Sequence, residues 1–311
     1  MTTLTQALPT QNTQLQVLTA INTQDFLAAF GMESIRRGRK ALDTLCWLPA
    51  RRFAKQMVRY DELVGDLGLH TASQITLHDY VQRLEVEGQQ NIPPAGPLLV
   101  LSNHPGITDA LVLFTSLERA DLRIVAAQRP FLEALPNVTR RLIYVPEETG
   151  QRMGAVRAVV SHLRAGGAIL TFPAGQIEPD PISMPGAVDA LAGWSESVAI
   201  FTRLIPEVKI VVAIVSGVLW PAVTQSPITR VRRQQKDREH MGAALQVLIQ
   251  QTLPFYKPVT TRVVFSEAFT PAEISNLSDA KSITRAITAQ ASRLIEYSQK
   301  KHPKENKNGS G

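Results

Sequence analysis

The stretch from Leu98 to Leu113 reads LLVLSNHPGITDALVL and joins two kinds of local pattern. An apolar run ends at Ser102, a cluster typical of turns follows, and apolar residues with helical spacing begin after it. His104 lies in the turn, and Asp109 lies in the first turn of the predicted helix, with Thr108 as its N-cap. The stretch therefore predicts a strand, a turn and a helix, with an imidazole and a carboxylate at their junction.

The same alternation of apolar runs and helical patterns continues along most of the chain. Five further runs are predicted as strands: LRIVAA, LIYVP, AILTFP, KIVVAIVSGVL and TRVVFSEAF. These runs lack the alternation of strands that face water on one side, so both of their faces are expected to be buried. The pattern predicts an α/β fold with a mainly parallel central sheet flanked by helices and an N-terminal helical region.

The domain boundaries follow from shifts in composition. Residues 1–22, rich in Thr and Gln, are expected to be a mobile segment, and residues 23–90 a helical N-terminal region. Residues 91–300 are expected to form the α/β domain, and 301–311 a disordered tail.

One stripe of the N-terminal region has helical spacing, with Phe53, Met57, Tyr60 and Val64 on the same face. It indicates a helix packed on the next domain. The alternative interpretation is that this region forms a pair of basic helices that lies on an anionic membrane surface.

Composition excludes several classes of site. The 311 residues include a single cysteine, Cys46, which excludes an intramolecular disulfide and a multi-cysteine zinc site. The net charge of +6 fits an anionic partner, or a slightly basic surface without one. No apolar run reaches the ~18–20 residues of a membrane crossing, and the N-terminus does not resemble a secretory signal. A cytoplasmic location, at most peripheral at the membrane, is therefore expected.

The histidine and the aspartate suit acid–base chemistry if the turn folds one onto the other. A carboxylate bound to Nδ1 fixes the tautomer of the imidazole and leaves Nε2 free as a general base. This arrangement could remove a proton from a hydroxyl and support attack on an acyl carbon. The spacing alone favours the alternative, in which Asp109 opens the helix and His104 is a turn residue without a chemical role.

Further motifs favour the chemical interpretation. NHPGITD resembles the Asn-His-x4-Asp motif of the glycerolipid acyltransferases, the superfamily of the lysophosphatidic-acid and glycerol-phosphate acyltransferases. FPAGQIE, residues 172–178, resembles the Phe-Pro-Glu-Gly-Thr-Arg motif, and IVVAIVSGVLWP resembles the later hydrophobic strand motif. LIYVPEETGQR falls where a second motif with an arginine is expected. The resemblance covers about residues 88 to 225 and indicates a divergent branch.

The resemblance implies an enzyme similar to 1-acylglycerol-3-phosphate acyltransferases of phospholipid biosynthesis. His104 would be the general base and Asp109 would orient it. The donor would be an acyl-CoA or acyl-carrier-protein thioester, and the acceptor a hydroxyl of a glycerolipid-like molecule at a membrane surface. No metal or redox cofactor and no nucleic-acid partner are expected. The residues assigned to substrate binding are Asn103, Arg152, Phe172, Pro173 and Gly175.

The sequence departs from the family at two positions of the second loop. The Glu and Arg of the family motif, which help to bind the phosphate of the acceptor, are replaced by Ala174 and Ile177. Glu178 and Asp180 make the loop more acidic, which also argues against a simple phosphate grip. Arg152 could supply a cation instead, or could be a solvated residue at a helix start.

Other interpretations stay open. The chain could be a non-catalytic lipid-binding module of the same fold, or an acyl-thioester hydrolase with water as the acceptor. Ser102 could be a nucleophile, although a local hydrogen bond at the strand end fits it better. An arginine-rich stretch could be a solvated loop or could contact anionic lipid, through Arg230, Arg232, Arg233 and Lys236.

Overall fold

The apolar runs of the sequence form the central sheet of the structure, a computed structural model that describes residues 11–146, 148–224, 226–230, 235–253, 259–274 and 279–302. Within these ranges the sheet has seven strands in the order β1-β7-β6-β2-β5-β3-β4. The strands are β1 (Arg83–Glu87), β2 (Leu98–Ser102), β3 (Arg123–Ala127), β4 (Leu142–Val145), β5 (Ala168–Thr171), β6 (Lys209–Ser216) and β7 (Thr260–Phe265). Neighbours run parallel except β6 and β7, which are antiparallel, so the predicted fold class is confirmed.

Helices connect the strands and cover both faces of the sheet. They are α1 (Gln11–Ala29), α2 (Arg39–Leu77), α3 (Ile107–Ser116), α4 (Pro130–Glu133), α5 (Pro136–Thr139), α6 (Arg152–Arg164), α7 (Ala187–Ala190), α8 (Ser197–Leu204), α9 (Pro221–Thr224), α10 (Pro227–Arg230), α11 (Gln235–Thr252), α12 (Pro271–Ile274) and α13 (Ala280–Lys301).

Alternate residues of the central strands enter two separate hydrophobic cores. In β2, Leu98 and Val100 pack with α1, α2, α3 and α11 on one face. Leu99 and Leu101 pack with α6, α8 and α13 on the other. This double burial is why the strand is apolar at every position.

The N-terminal region differs from the sequence prediction at its start. Residues 11–22, expected to be mobile, belong to α1, in which Leu18, Phe26 and Leu27 are buried in the first core. The prediction of a mobile segment was therefore wrong for this part, because α1 packs on α2 and buries apolar side chains. Residues 1–10 and 303–311 lie outside the described residues, as do the side chains of Arg230, Arg232, Arg233 and Lys236.

The end of the N-terminal region also differs. Residues 83–87, predicted as part of a helical region ending at residue 90, form β1 and pair in parallel with β7. The boundary between the helical region and the sheet domain therefore falls near residue 80. The alternating polar sequence RLEVE suits an edge strand that is only partly buried.

The stripe predicted on α2 lies in the first core. Phe53, Met57, Tyr60 and Val64 are all less than a tenth exposed. The packing interpretation of this stripe is confirmed, so any membrane contact of α2 would use other residues. α2 bends at Gly68, whose φ of 81° lies in the left-handed region that favours glycine. Of the helices in the described part of the chain, none combines the length and apolarity that crossing a bilayer requires.

Candidate active site

Two loops at the carboxyl ends of neighbouring strands form the candidate site. Residues 103–106, here the His104 loop, follow β2, and residues 172–180, here the Phe172 loop, follow β5. The register pairs Leu101 with Thr171, so the two loops leave the sheet side by side. In open parallel sheets, this edge is where ligands bind.

His104 and Asp109 face each other in the way the sequence predicts. Nδ1 of His104 lies 2.7 Å from Oδ2 of Asp109. The Asp109 side chain is fully buried, whereas the His104 side chain keeps 32% of its surface exposed. An ionised Asp109 accepts a hydrogen bond from Nδ1–H, which leaves the lone pair on Nε2. The pair therefore has the geometry of an oriented general base.

The start of α3 holds Asp109 in this position. Its Oδ2 also accepts from the Gly106 backbone N–H at 3.1 Å, and Oδ1 accepts from Ala110 N–H at 2.6 Å. Gly106 is the N-cap, so the prediction of Thr108 as the N-cap was wrong. The Thr108 hydroxyl is buried, and no described residue bonds to it. The carboxylate thus satisfies the helix terminus and orients the imidazole at once.

Phe172 forms one wall of the His104 environment. The two rings lie 4.6 Å apart between centroids, tilted by 33°. Gly175, with φ of 62°, closes a turn by donating from its N–H to the Phe172 carbonyl at 3.0 Å. Pro173 is buried, and its carbonyl accepts from the Ser195 N–H at 3.0 Å. Phe172 therefore lies against the imidazole, while Pro173 and Gly175 fix the loop that carries it.

Asn103 has a structural role that the sequence assignment did not anticipate. Its side chain is 2% exposed, and its amide both donates to and accepts from the backbone of Val215, at 2.9 and 2.8 Å. This double contact joins the end of β2 to β6 and anchors the His104 loop. The assignment of Asn103 to substrate binding is therefore corrected, because its polar atoms are buried against β6. Ser102, also buried, bonds locally to the Asn103 carbonyl at 3.0 Å.

Arg152 lies away from the centre of the site. It begins α6 after β4, which is the edge strand and the third neighbour from β2. Its exposed side chain directs Nε toward the Pro146 carbonyl at 3.4 Å. The order of strands thus places the start of α6 three strands away from β2, which carries the His104 loop.

Glu178 is a residue of the site whose role sequence reasoning missed. It is only 3% exposed, and its Oε2 accepts from the His104 backbone N–H at 3.0 Å. Oε1 accepts from the indole N–H of Trp194 at 2.8 Å. The sequence signal was an acidic residue shortly after the FPAG turn, and it was interpreted as making the loop more acidic and less suited to binding a phosphate.

Asp180 also points inward. It is fully buried and accepts hydrogen bonds from five backbone N–H groups, two from residues shortly after it and three from residues after β6. Those donors belong to Ile182, Ser183, Gly217, Val218 and Leu219. The sequence analysis counted Asp180 among the acidic residues of the loop, whereas its carboxylate is enclosed by donors and ties the loops after β5 and β6 together.

The titration of the site follows from these contacts. Burial pushes the pKa of His104 down, but the nearby carboxylates of Asp109 and Glu178 outweigh it and raise the pKa above its usual value. Burial raises the pKa of Glu178 to about 7, despite the hydrogen bonds from Trp194 and His104. Glu178 therefore titrates close to neutral pH, and the pKa of His104 lies above the usual value of a histidine.

A cavity of about 800 Å³ lies on the side of the N-terminal helices and touches the Phe172 loop at Ile177. It lies between α1, α2, α4 and α11, and Ile177 of the Phe172 loop is part of its wall. The apolar part of the lining includes Phe26, Phe53, Phe131 and Val247. Ile177 directly precedes Glu178, whose N–H donates to the His104 carbonyl at 2.8 Å.

Comparison with known proteins gives one family. Residues 83–216 match the family model described as Acyltransferase. No curated protein matches the chain. Among solved structures, the crystal structure of the 1-acyl-sn-glycerophosphate (LPA) acyltransferase PlsC from Thermotoga maritima is 14% identical; the match covers 92% of this chain and 98% of that chain with a TM-score of 0.48. The family match runs from the start of β1 to the end of β6 and includes both loops of the site.

Proposed function

We propose that the chain transfers an acyl group from a thioester to a hydroxyl of a glycerolipid-like acceptor, and the match of residues 83–216 to the Acyltransferase family model supports this proposal. The observation that carries this proposal is the 2.7 Å contact between His104 Nδ1 and the buried Asp109, with the imidazole still partly exposed. An exposed base held in one tautomer is what the deprotonation of an incoming hydroxyl requires.

The proposed reaction proceeds in two proton-coupled steps. Nε2 of His104 takes the proton of the acceptor hydroxyl as its oxygen attacks the thioester carbonyl carbon, and Asp109 stabilises the imidazolium. The tetrahedral intermediate then breaks its carbon–sulfur bond. The departing thiolate receives the proton from the imidazolium, so the products are an ester and a free thiol. The donor is the thioester of CoA or of acyl-carrier protein, and no acyl-enzyme forms.

The lipid character of the substrates is supported by the cavity that Ile177 of the Phe172 loop helps to line. Its volume of about 800 Å³ lies within the range of small-molecule sites, and its wall is rich in phenylalanine and aliphatic side chains. Ile177, where the family motif has an arginine, contributes an apolar side chain to this wall. An acceptor bound here would be recognised mainly through its apolar surface, and less through contacts of the family motif's Glu and Arg with a phosphate.

Peripheral attachment to the cytoplasmic side of a membrane is supported by the first turns of α2. Leu45, Trp47 and Leu48 are between 48% and 73% exposed. Arg51 lies over the Trp47 ring at 5.4 Å, and Arg52 is exposed on the following turn. Exposed apolar side chains flanked by cations are typical of helices that lie in the headgroup region of anionic bilayers.

The test is to incubate the purified chain with acyl-CoA or acylated carrier protein and a panel of monoacylated lipids. Thiol release is followed by colorimetry, and products are identified by mass spectrometry. We expect an ester product, and His104→Ala should reduce the rate at least about a hundredfold because the base is lost. Asp109→Asn should also lose most activity, since the imidazole is then poorly oriented. His78→Ala, at an exposed histidine after α2, is the matched control and should keep the wild-type rate.

Three other outcomes would contradict the proposal. Full turnover by His104→Ala would remove the mechanism. Free fatty acid in place of an ester would indicate thioester hydrolysis, and lipid binding without thiol release across the panel would indicate a binding module.

A further inference from the structure

Glu178 holds the main chain of the proposed base from both sides. Its carboxylate accepts from the His104 N–H at 3.0 Å, and its own N–H donates to the His104 carbonyl at 2.8 Å. The two hydrogen bonds use both main-chain polar groups of His104. Since the side chain of His104 is held by Asp109, the position of the imidazole depends on one carboxylate at the start of α3 and one in the Phe172 loop.

Trp194 fixes the other end of the Glu178 carboxylate. Its indole N–H donates to Oε1 at 2.8 Å, and Trp194 itself is 5% exposed in the second core. The next residue, Ser195, donates from its N–H to the Pro173 carbonyl at 3.0 Å. Glu178 is therefore part of a closed set of contacts that links Trp194, the Phe172 loop and the His104 loop.

We propose that Glu178 is a positioning residue that fixes the main chain of His104 and whose negative charge favours the imidazolium formed during the reaction. The proposal rests on the proposed function of His104 as the base. Both hydrogen-bond donors that face the carboxylate are N–H groups, an arrangement that matches the ionised form of a carboxylic acid. A buried carboxylate this close to the His104 loop acts on the imidazole through little solvent, so its charge is only weakly screened.

The titratable groups that face Glu178 are His104 and Asp109. The charge of His104 lowers the pKa of Glu178, and the charge of Asp109 raises it, while burial is the largest influence and raises it to about 7. In the other direction, Glu178 adds to the effect of Asp109 in raising the pKa of His104. Glu178 and His104 therefore titrate as a coupled pair, in which ionisation of the glutamate stabilises the protonated histidine.

The experiment is a titration of His104 in the full chain by NMR, with ¹⁵N-labelled histidine and His104→Ala to assign the signal. It compares wild type, Glu178→Gln and Glu178→Asp. Glu207→Gln is the matched control, because Glu207 is exposed and precedes the amino end of β6, at the edge of the sheet opposite the site. We expect Glu178→Gln to lower the pKa of His104 by about 0.5 or more, Glu178→Asp to leave it near the wild-type value, and Glu207→Gln to leave it unchanged.

Activity provides the second readout. The base must be neutral at the start of the reaction, so kcat/KM rises with pH through the pKa of His104. A lower pKa of His104 in Glu178→Gln therefore moves this rise to lower pH, while kcat falls about tenfold because the imidazolium and the loop are less well held. Partial rescue of kcat by Glu178→Asp is expected, since the charge remains.

The outcomes separate this inference from the proposed function. An unchanged pKa of His104 in a folded Glu178→Gln variant would overturn the inference, whatever the effect on rate. If Glu178→Gln does not fold, Glu178→Asp provides the test, because this variant keeps the negative charge. A His104 pKa that falls by about 0.5 or more in Glu178→Asp would overturn the inference. If the wild-type chain shows no activity on thioesters but Glu178→Gln still lowers the pKa of His104, the electrostatic link between Glu178 and His104 is supported. That result would contradict the proposed acyl transfer and leave this inference standing.

Discussion

The carboxylates of the site differ in how fully their charge is satisfied. Asp180 accepts five backbone N–H groups, and Asp109 accepts two together with the imidazole of His104. Glu178 accepts only two N–H groups, one from His104 and one from Trp194, while it is almost fully buried. Burial therefore outweighs its hydrogen bonds, which is why its pKa lies near 7.

Because burial outweighs the hydrogen bonds of Glu178, its contribution to the free energy of unfolding should depend on pH. Glu178→Gln removes the titrating group and so measures this contribution. The pKa of Glu178 is raised from 4.5 to about 7, so the folded state binds the proton more tightly than the unfolded chain. The stabilisation from Glu178 is therefore complete below pH 4.5, falls as pH rises, and is lost above about 7. Relative to Glu178→Gln, wild type should lose about 3 kcal/mol in the free energy of unfolding between pH 4.5 and 8.

Urea unfolding of both proteins across this pH range measures the difference. Glu207→Gln serves as the control for removal of a surface charge. A constant difference between wild type and Glu178→Gln would mean that Glu178 titrates as it does in the unfolded chain.

Sequence reasoning found the His104–Asp109 pair but missed Glu178 for a physical reason. The pair lies within one strand-turn-helix unit, so the turn residues and helix start were enough to place both side chains at one junction. Glu178 reaches His104 from another loop, and a loop has no periodicity that tells which side chains point inward. Asn103 was misassigned for a similar reason, because its partner Val215 lies on a strand distant in sequence.

At the scale of elements, α1 shows why a helix can lack an apolar stripe. Its buried face carries Gln14, Thr19, Asn22 and Thr23 beside leucine and phenylalanine. Each polar side chain is satisfied by a backbone carbonyl, as in the bonds of Thr19 to Leu15 at 2.6 Å and Gln14 to Ala134 at 2.8 Å. Satisfied polar groups can be buried at little cost, so hydrophobic periodicity alone gave no signal for α1.

Because α1 packs on the fold, substitutions at two adjacent residues of α1 should differ in their effect on the free energy of unfolding. Leu18 is fully buried in the first core, whereas Val17 is 44% exposed. Leu18→Ala should therefore lower the free energy of unfolding by about 3 kcal/mol, because it removes buried methyl groups and leaves a cavity. Val17→Ala should change it by about 0.5 kcal/mol or less. Chemical denaturation compares the two, and equal, small effects would mean that α1 does not pack on the fold.

The β1 strand was missed because its signal is ambiguous in the sequence. RLEVE alternates polar and apolar residues over only five positions and follows a long helical segment. Its pairing depends on β7, which no local pattern reveals. The central strands were predicted correctly since their apolar residues on both faces reflect burial in two cores, a property that each segment carries by itself.

At the scale of the whole molecule, the proposed membrane contact depends on a few exposed residues at one end of α2. We expect the chain to co-sediment with vesicles that contain anionic phospholipid, and more weakly as salt screens the basic side chains. Combining Trp47→Ala with Leu48→Ala should weaken binding about tenfold or more, because two side chains no longer enter the bilayer.

The matched control combines Leu67→Ala with Ile75→Ala, which removes exposed apolar residues of α2 near and beyond the bend. This variant should bind vesicles as wild type does. Equal binding by all three proteins would place the membrane contact elsewhere or remove it.

Pairing of β1 with β7 has a consequence for how the chain is made. Arg262 of β7 and Glu85 of β1, which form an ion pair in the finished sheet, are separated by 177 residues. On the ribosome, β1 emerges first and has no strand to pair with until β7 follows, so the last edge of the sheet assembles only late in synthesis. β1 carries three charged residues, Arg83, Glu85 and Glu87. Their charges disfavour pairing of the unpaired β1 with strands of other chains, and therefore disfavour aggregation during synthesis.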